Sequence, residues 1–129
     1  MDKKNSRPIS LFLSHGAGPI PLLGDDGHKE MVENLKIIAA KIAKPLAIIL
    51  ISAHWEKAIP TITQGANPSL VYDYYGFPKQ AYEIQYPAPG DPNLAHTVFS
   101  LLSDKGIEMV SVVKNLSTYT RILKVPSSG

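Results

Sequence analysis

Two short hydrophobic runs in the first half of the chain each lead into a polar stretch that contains a histidine. Residues 8–14 form an apolar run that is followed by His15, and residues 46–51 form a nearly all-aliphatic run that precedes His54. A run that is apolar on both faces is typical of a buried parallel strand. The pattern therefore predicts two buried strands, each with a histidine near its carboxyl end.

An amphipathic helix is predicted between these two strands. Apolar side chains recur at helical spacing along residues 28–43, at Met31, Leu35, Ile38 and Ile42. Strand, helix and strand in this order form a βαβ unit, so both histidine-bearing ends are expected at the same edge of a sheet. In open α/β sheets that edge collects ligands and catalytic groups.

The second half of the chain predicts a third strand, a second helix and a last strand. The third strand is expected over residues 59–63 and the last over residues 107–113. The helix between them is expected to begin at Asp91, as N-cap, and Pro92, as the first helical residue, and to end near Ser103.

Two segments lack a regular pattern. Residues 66–90 are rich in tyrosine and proline, and they are either loop packing over a small sheet or the wall of a pocket for a flat aromatic substrate. The tail from Lys114 is polar and weakly patterned.

The cluster of Asp25, Asp26 and His28 is interpreted as a helix cap rather than a set of metal ligands.

Composition narrows the class of protein. The chain has 129 residues, a net charge of +2 and no cysteine, which predicts one domain and excludes disulfides and thiolate metal sites. The small charge argues against nucleic acid as a partner. There is no apolar stretch long enough to span a bilayer and no apolar signal core at the start, so we expect a cytoplasmic protein without a membrane partner.

Two imidazoles at equivalent strand ends predict a shared metal site at His15 and His54. The alternative is that each is a polar strand-end residue bonded to backbone. Non-haem Fe(II) oxygenases use two histidines and one carboxylate, and catalytic zinc keeps three protein ligands and water. Glu56 is the local candidate for a third ligand, because residues 54 and 56 point to the same side of an extended strand. The alternative is a solvated Glu56.

Four motifs occur in order along the chain: Ser14-His15-Gly16, Ser52-Ala53-His54-Trp55, Tyr72-Asp73-Tyr74-Tyr75-Gly76-Phe77-Pro78 and Tyr86-Pro87-Ala88-Pro89-Gly90. Together they resemble the class III extradiol ring-cleaving dioxygenases (LigB-like), in the 4,5-DOPA dioxygenase branch. The resemblance covers about residues 8–110.

The resemblance implies an α/β fold with a central, mostly parallel sheet flanked by helices, similar to phosphorylase/hydrolase-like folds. It implies Fe(II) or Zn(II) as cofactor, with His15 and His54 as ligands. The implied reaction inserts both atoms of O2 into a catecholic ring, so the partners are a small aromatic diol and O2. Substrate-side or supporting roles fall to Ser14, Gly16, Trp55, Glu56, Asp73 and Tyr75.

The chain also departs from this family's pattern. Members are about twice as long, and their third metal ligand and acid/base histidine lie in the second half. Gln85 stands where the family often has a histidine. We therefore expect a truncated catalytic domain over residues 8–113, a disordered start at 1–7 and a divergent tail at 114–129.

Three functions remain open at this point. The first is an extradiol dioxygenase impaired by truncation, with no catalytic acid/base residue assigned in this chain. The second is a catalytically inactive remnant that binds metal weakly or acts by protein association, including self-association through an exposed sheet edge. The third is a metal-dependent hydrolase, which only the two histidines support.

Overall fold

The computed structural model describes residues 7–52, 54, 57–112 and 120–124. These residues contain two α-helices, α1 (Lys29–Lys41) and α2 (Pro92–Asp104). They also contain four strands: β1 (Ala47–Ile51), β2 (Thr61–Thr63), β3 (Val110–Val112) and β4 (Thr120–Lys124). Short 3-10 helices lie at Ile20–Leu23, Asp26–His28 and Lys79–Tyr82.

By its internal contacts the chain divides into two units. The first combines Met1–Pro45 with Tyr74–Ile84, and the second combines Leu46–Asp73 with Gln85–Gly129. In its described residues neither unit contains a helix with the length and hydropathy that a bilayer span requires.

The first unit is built around α1, which confirms the helix predicted over residues 28–43. The strand predicted over residues 8–14 is wrong, because the structure has no strand there. A strand forms when its backbone N–H and C=O groups bond to a partner strand. No described strand pairs with this segment. Its apolar side chains are correspondingly exposed, with Phe12 fully so.

The second unit contains β1, paired antiparallel with β4 from Ala47↔Lys124 to Ile51↔Thr120. The prediction of a parallel partner for β1 is therefore wrong among the described residues. β4 also lies within the tail that was predicted to lack a regular pattern. The unpaired backbone groups at a strand edge can bond to any extended segment. The local sequence pattern alone therefore does not predict which strand pairs with β1.

The same unit contains the parallel connection of this fold. β2 pairs parallel with β3, from Thr61↔Val110 to Thr63↔Val112, and α2 lies between them in sequence. Both strands fall within the ranges predicted for them, and α2 begins where predicted. The fold is therefore α/β with a short parallel sheet. The larger central sheet stays a prediction, since the described strands form two sheets of two strands each.

The small core of the second unit is formed by β2 and α2. Ile62 and Ala95 are buried, and partly buried apolar side chains pack against them: Leu94, Val98, Phe99 and Met109. The helix starts as predicted, because the Asp91 carboxylate accepts the Leu94 backbone N–H at 3.0 Å and Pro92 occupies the first turn. This cap fixes where the helix leaves the loop that precedes it.

Candidate metal site

His15 lies in a glycine-rich loop of the first unit. Gly16 and Gly18 have φ of +71° and +51°, a region that favours glycine. The His15 side chain is exposed and lines an open groove together with apolar residues: Pro21, Leu22, Met31, Val32 and Leu35. An imidazole beside an apolar groove can ligate a metal while a flat ring occupies the groove.

His28 contacts the same loop. The Ala17 backbone N–H donates to His28 Nε2 at 3.3 Å, and His28 Nδ1 lies 2.8 Å from Asp25 Oδ2. Because Nε2 accepts a hydrogen bond, the proton of the neutral ring is assigned to Nδ1, which donates to Asp25. Asp25 occupies the N-cap position of the short helix Asp26–His28, as the capping interpretation expected, although neither side chain makes a cap hydrogen bond to a helix.

Gly16 has no room for a side chain. A Cβ at this position would lie 2.5 Å from His28 Cδ2 and 2.7 Å from His28 Nε2. The imidazole therefore packs directly on the backbone of the residue that follows His15. The positive φ and this close approach both require glycine at position 16.

An aromatic cluster packs against the other glycine of the loop. A Cβ at Gly18 would lie 3.1 Å from Phe77 Cζ. The Tyr74 ring stacks edge-on to Phe77 and tilts against Tyr82, each with centroids 5.3 Å apart. Tyr74 Oη donates to the carbonyl oxygen of the buried Ala81. Tyr74, Phe77 and Tyr82 thus pack within the loops of this unit, whereas Tyr75 and Tyr86 of the same tyrosine-rich segment are 92% and 53% exposed.

The other predicted site residues divide between the two units. His54 belongs to the second unit, where it is an exposed turn residue whose backbone N–H donates to Ser52 Oγ at 3.2 Å. Asp73 belongs to the same unit and is exposed. Ser14 and Tyr75 belong to the first unit, and Tyr75 is 92% exposed.

Several predictions lie outside the described residues. They include the supporting role of Trp55 and the assignment of Glu56 as a third ligand. They also include the predicted disorder at the start, of which residues 1–6 are not described, and most of the divergent tail at 114–129. The predicted pairing of His15 with His54 stays a prediction as well, since the two residues belong to different units.

The donor chemistry fits an implied Fe(II) or Zn(II) in kind. Neutral imidazole nitrogens suit both metals, and the exposed His15 and His54 rings offer them. Within the part of the chain that the structure describes, no group of three His, Cys, Asp or Glu residues is placed to hold an ion. His15 and His54 are thus the candidate ligands among the described residues, and Glu56 lies outside them.

Sequence reasoning missed the role of His28. Its partner Asp25 precedes it by three residues, a spacing that brings side chains together in a helical turn. That spacing was a usable signal for the hydrogen bond between the two side chains. The contact with Ala17, eleven residues earlier, left no trace in the local pattern.

Comparison with known proteins shows what the chain is similar to. Residues 10–121 match a family described as the catalytic LigB subunit of aromatic ring-opening dioxygenase. "Dioxygenase tasH" of Hapsidospora irregularis is 50% identical over 109 residues, which cover 79% of this chain and 34% of that protein.

Two further relatives share a printed name. "4,5-DOPA dioxygenase extradiol" of Beta vulgaris is 36% identical over 116 residues, covering 88% of this chain and 42% of that protein. The protein of the same name from Escherichia coli (strain K12) is 34% identical over 99 residues, which cover 77% of this chain and 35% of that protein. The chain thus spans between about a third and two fifths of the length of these relatives.

Proposed function

Because this chain belongs to the LigB family of aromatic ring-opening dioxygenases, we propose that it contributes metal- and substrate-binding residues to an extradiol dioxygenase. The reaction inserts both atoms of O2 into a catecholic ring and opens the carbon–carbon bond beside the two hydroxyls. The observation that carries this proposal is the family match over residues 10–121. That range includes both candidate ligands, His15 and His54.

In this proposal His15 and His54 hold Fe(II) or Zn(II) through neutral imidazole nitrogens. Fe(II) would supply Lewis acidity toward the diol oxygens and the redox chemistry that O2 requires. The glycine-rich loop presents the His15 ring at the surface. The loop's backbone is held by packing against His28 and Phe77, which favours a fixed ligand position over a mobile one.

The proposed substrate is a small aromatic diol. An open groove with an apolar lining adjoins His15, and such surfaces accept flat rings. Tyr75 offers an exposed ring and hydroxyl in the same unit. Asp73 and Ser14 are exposed polar residues of the matched motifs and are proposed to lie on the substrate side.

A second proposal is metal binding without turnover. It takes His15 and His54 as ligands without an assigned acid/base residue, since Glu56, the candidate third ligand, lies outside the described residues. Loss of a general acid or base alone lowers a rate by about 10² to 10⁴-fold. A site that held an ion through two imidazoles without an acid/base group would open rings slowly or not at all.

The experiment measures bound metal and turnover on the same preparations. The purified chain is loaded anaerobically with Fe(II) or Zn(II), and metal content is compared with H15A and H54A. His96 lies on α2 and is exposed, so H96A is the matched control. The Fe(II) form then receives a catechol and O2, and oxygen uptake and the absorbance of the yellow ring-opened product are followed.

Each outcome has a separate meaning. We expect metal content to fall in H15A and H54A and to stay unchanged in H96A. Oxygen uptake that matches product would support the dioxygenase proposal. Bound metal without product would favour binding without turnover. Unchanged metal content in both H15A and H54A would remove the ligand assignment.

A further inference from the structure

We propose that His28 is a positioning residue that fixes the backbone after His15, with Asp25 holding its imidazole in the required tautomer. The inference rests on the proposed function in treating His15 as a metal ligand. Neither His28 nor Asp25 belongs to the four motifs that carry the family resemblance. What the structure adds is the juxtaposition of this pair with the loop that bears His15.

The first support is the direction of the hydrogen bonds. Ala17 N–H donates to His28 Nε2, so that nitrogen must be unprotonated, and Nδ1 then donates to the Asp25 carboxylate. A carboxylate that fixes a histidine tautomer in this way also orients the ring. The pair therefore presents a fixed acceptor to the backbone two residues after His15.

The second support is the packing on Gly16. The imidazole fills the space in which a Cβ on Gly16 would lie, so ring and backbone are in direct contact. Met31 approaches the same position, with its Cε 3.4 Å from that Cβ. Gly16 and Ala17 are thus held by one side chain through both packing and a hydrogen bond, and the freedom of the preceding His15 is reduced.

The third support is the position in the fold from which the His28 ring extends. His28 immediately precedes α1, which starts at Lys29. The His28 side chain is 22% exposed, against 44% for the Asp25 side chain, so the imidazole ring is partly shielded. The loop is therefore tied to a helix rather than to another loop. A ligand fixed to a rigid element needs less ordering when it binds an ion, and its affinity is higher for that reason.

The test compares three substitutions at position 28 in the whole chain. H28A removes the ring, H28F keeps an aromatic ring without an acceptor, and H28Q keeps an acceptor that can reach Ala17. Zn(II) alone is titrated by calorimetry into each variant, with H96A as the matched control. The Ala17 amide is followed by ¹H–¹⁵N NMR in the metal-free proteins, and helix content is checked by circular dichroism.

We expect H28A and H28F to bind Zn(II) about 10- to 100-fold more weakly, as is typical when residues that orient a ligand are removed. H28Q is expected to retain most of the affinity, and H96A all of it. The temperature coefficient of the Ala17 amide proton, which reports its hydrogen bond, should change in H28F and keep its wild-type value in H28Q. A purely structural role would predict equal affinity for H28F and H28Q at equal helix content.

The outcomes separate this inference from the proposed function. Unchanged Zn(II) affinity in H28F, when H15A has lost affinity, would overturn the positioning role and leave the ligand assignment intact. Equal weakening in H28Q and H28F would overturn it as well. Unchanged affinity in H15A would overturn the ligand assignment. An unchanged temperature coefficient of the Ala17 amide proton in H28F would overturn the positioning role independently of any metal.

Discussion

The backbone of Gly90 lies so close to Gly65 that a Cβ at position 90 would overlap the Gly65 carbonyl oxygen. The Gly90 N–H donates to the Ala66 carbonyl oxygen at 2.8 Å, which holds the two segments together. Gly90 is buried and ends the Tyr-Pro-Ala-Pro-Gly motif. The motif therefore ends in glycine because two backbones meet there, immediately before the Asp91 cap of α2.

We predict that G90A destabilises the protein by about 3 kcal/mol, because the obstacle is backbone and cannot rotate away. The matched control is G106A. Gly106 has φ of +76° and nothing within 4 Å of the added Cβ, so this substitution carries only the dihedral cost of about 1–2 kcal/mol. Urea unfolding followed by circular dichroism measures both. Equal midpoints for the two variants would show that the close approach does not constrain the fold.

Gly16 requires glycine for two reasons, and a double-mutant cycle separates them. In G16A the positive φ costs about 1–2 kcal/mol, and the new methyl group also overlaps the His28 ring. We predict that G16A combined with H28A is more stable than the sum of the single effects, because the second substitution removes the overlap. Denaturant midpoints of the wild type, both single variants and the double variant measure this coupling.

The control for that cycle is G24A, in the same unit. Gly24 has φ of +80° and no heavy atom within 4 Å of an added Cβ. G24A should therefore show the dihedral cost alone and no coupling to H28A. Additive effects for G16A and H28A, as for G24A and H28A, would contradict the direct contact between Gly16 and the His28 imidazole.

Sequence periodicity predicted both helices, because each carries a repeated apolar spacing and α2 also has the Asp91-Pro92 start. β2 and β3 were found for a similar reason, as short β-branched runs between turn residues. Residues 8–14 look like a buried strand by composition, yet the structure leaves them unpaired with any described strand. The composition of a segment indicates that it can form a strand. Which strand it pairs with depends on contacts between residues distant in sequence.

The candidate site shows the same division between local and distant information. The histidines His15 and His54 were identified from the runs that precede them, and Gly16 from its place beside His15. The role of His28 could not be read in this way, because it depends on a hydrogen bond to Ala17 across eleven residues. The spacing of three residues could have indicated only its proximity to Asp25.

The Asp91 cap gives a third prediction. Its carboxylate accepts the Leu94 N–H at 3.0 Å at the start of α2. D91A should destabilise the helix by about 1 kcal/mol, because an N-terminal N–H group loses its partner, whereas D91N keeps an acceptor and should cost only a few tenths of that. Hydrogen exchange of the Leu94 amide and the urea midpoint report the change. Equal protection in D91A and the wild type would contradict it.

The aromatic cluster gives a fourth prediction. Y74F removes the hydroxyl that donates to the carbonyl oxygen of the buried Ala81, so we expect a loss of about 1–2 kcal/mol. Y75F alters a neighbouring ring that is 92% exposed and should leave the urea midpoint unchanged. If Y75F lowered stability as much as Y74F, the assignment of the structural role to Tyr74 would be wrong.

The last prediction concerns whether one ion is shared by His15 and His54, which belong to different units of the chain. If both bind the same ion, each single substitution should weaken Zn(II) binding by at least about tenfold, near 1.4 kcal/mol. The double substitution should then weaken it by little more than one alone, because the second ligand acts only while the first is present. Two independent sites would instead halve the stoichiometry in each single variant and leave the affinity of the remaining site unchanged.

Calorimetric titration of the wild type, H15A, H54A and the double variant measures stoichiometry and affinity together. A stoichiometry of one ion that survives H54A with full affinity would remove His54 from the site, while H96A establishes the effect of losing an unrelated exposed histidine.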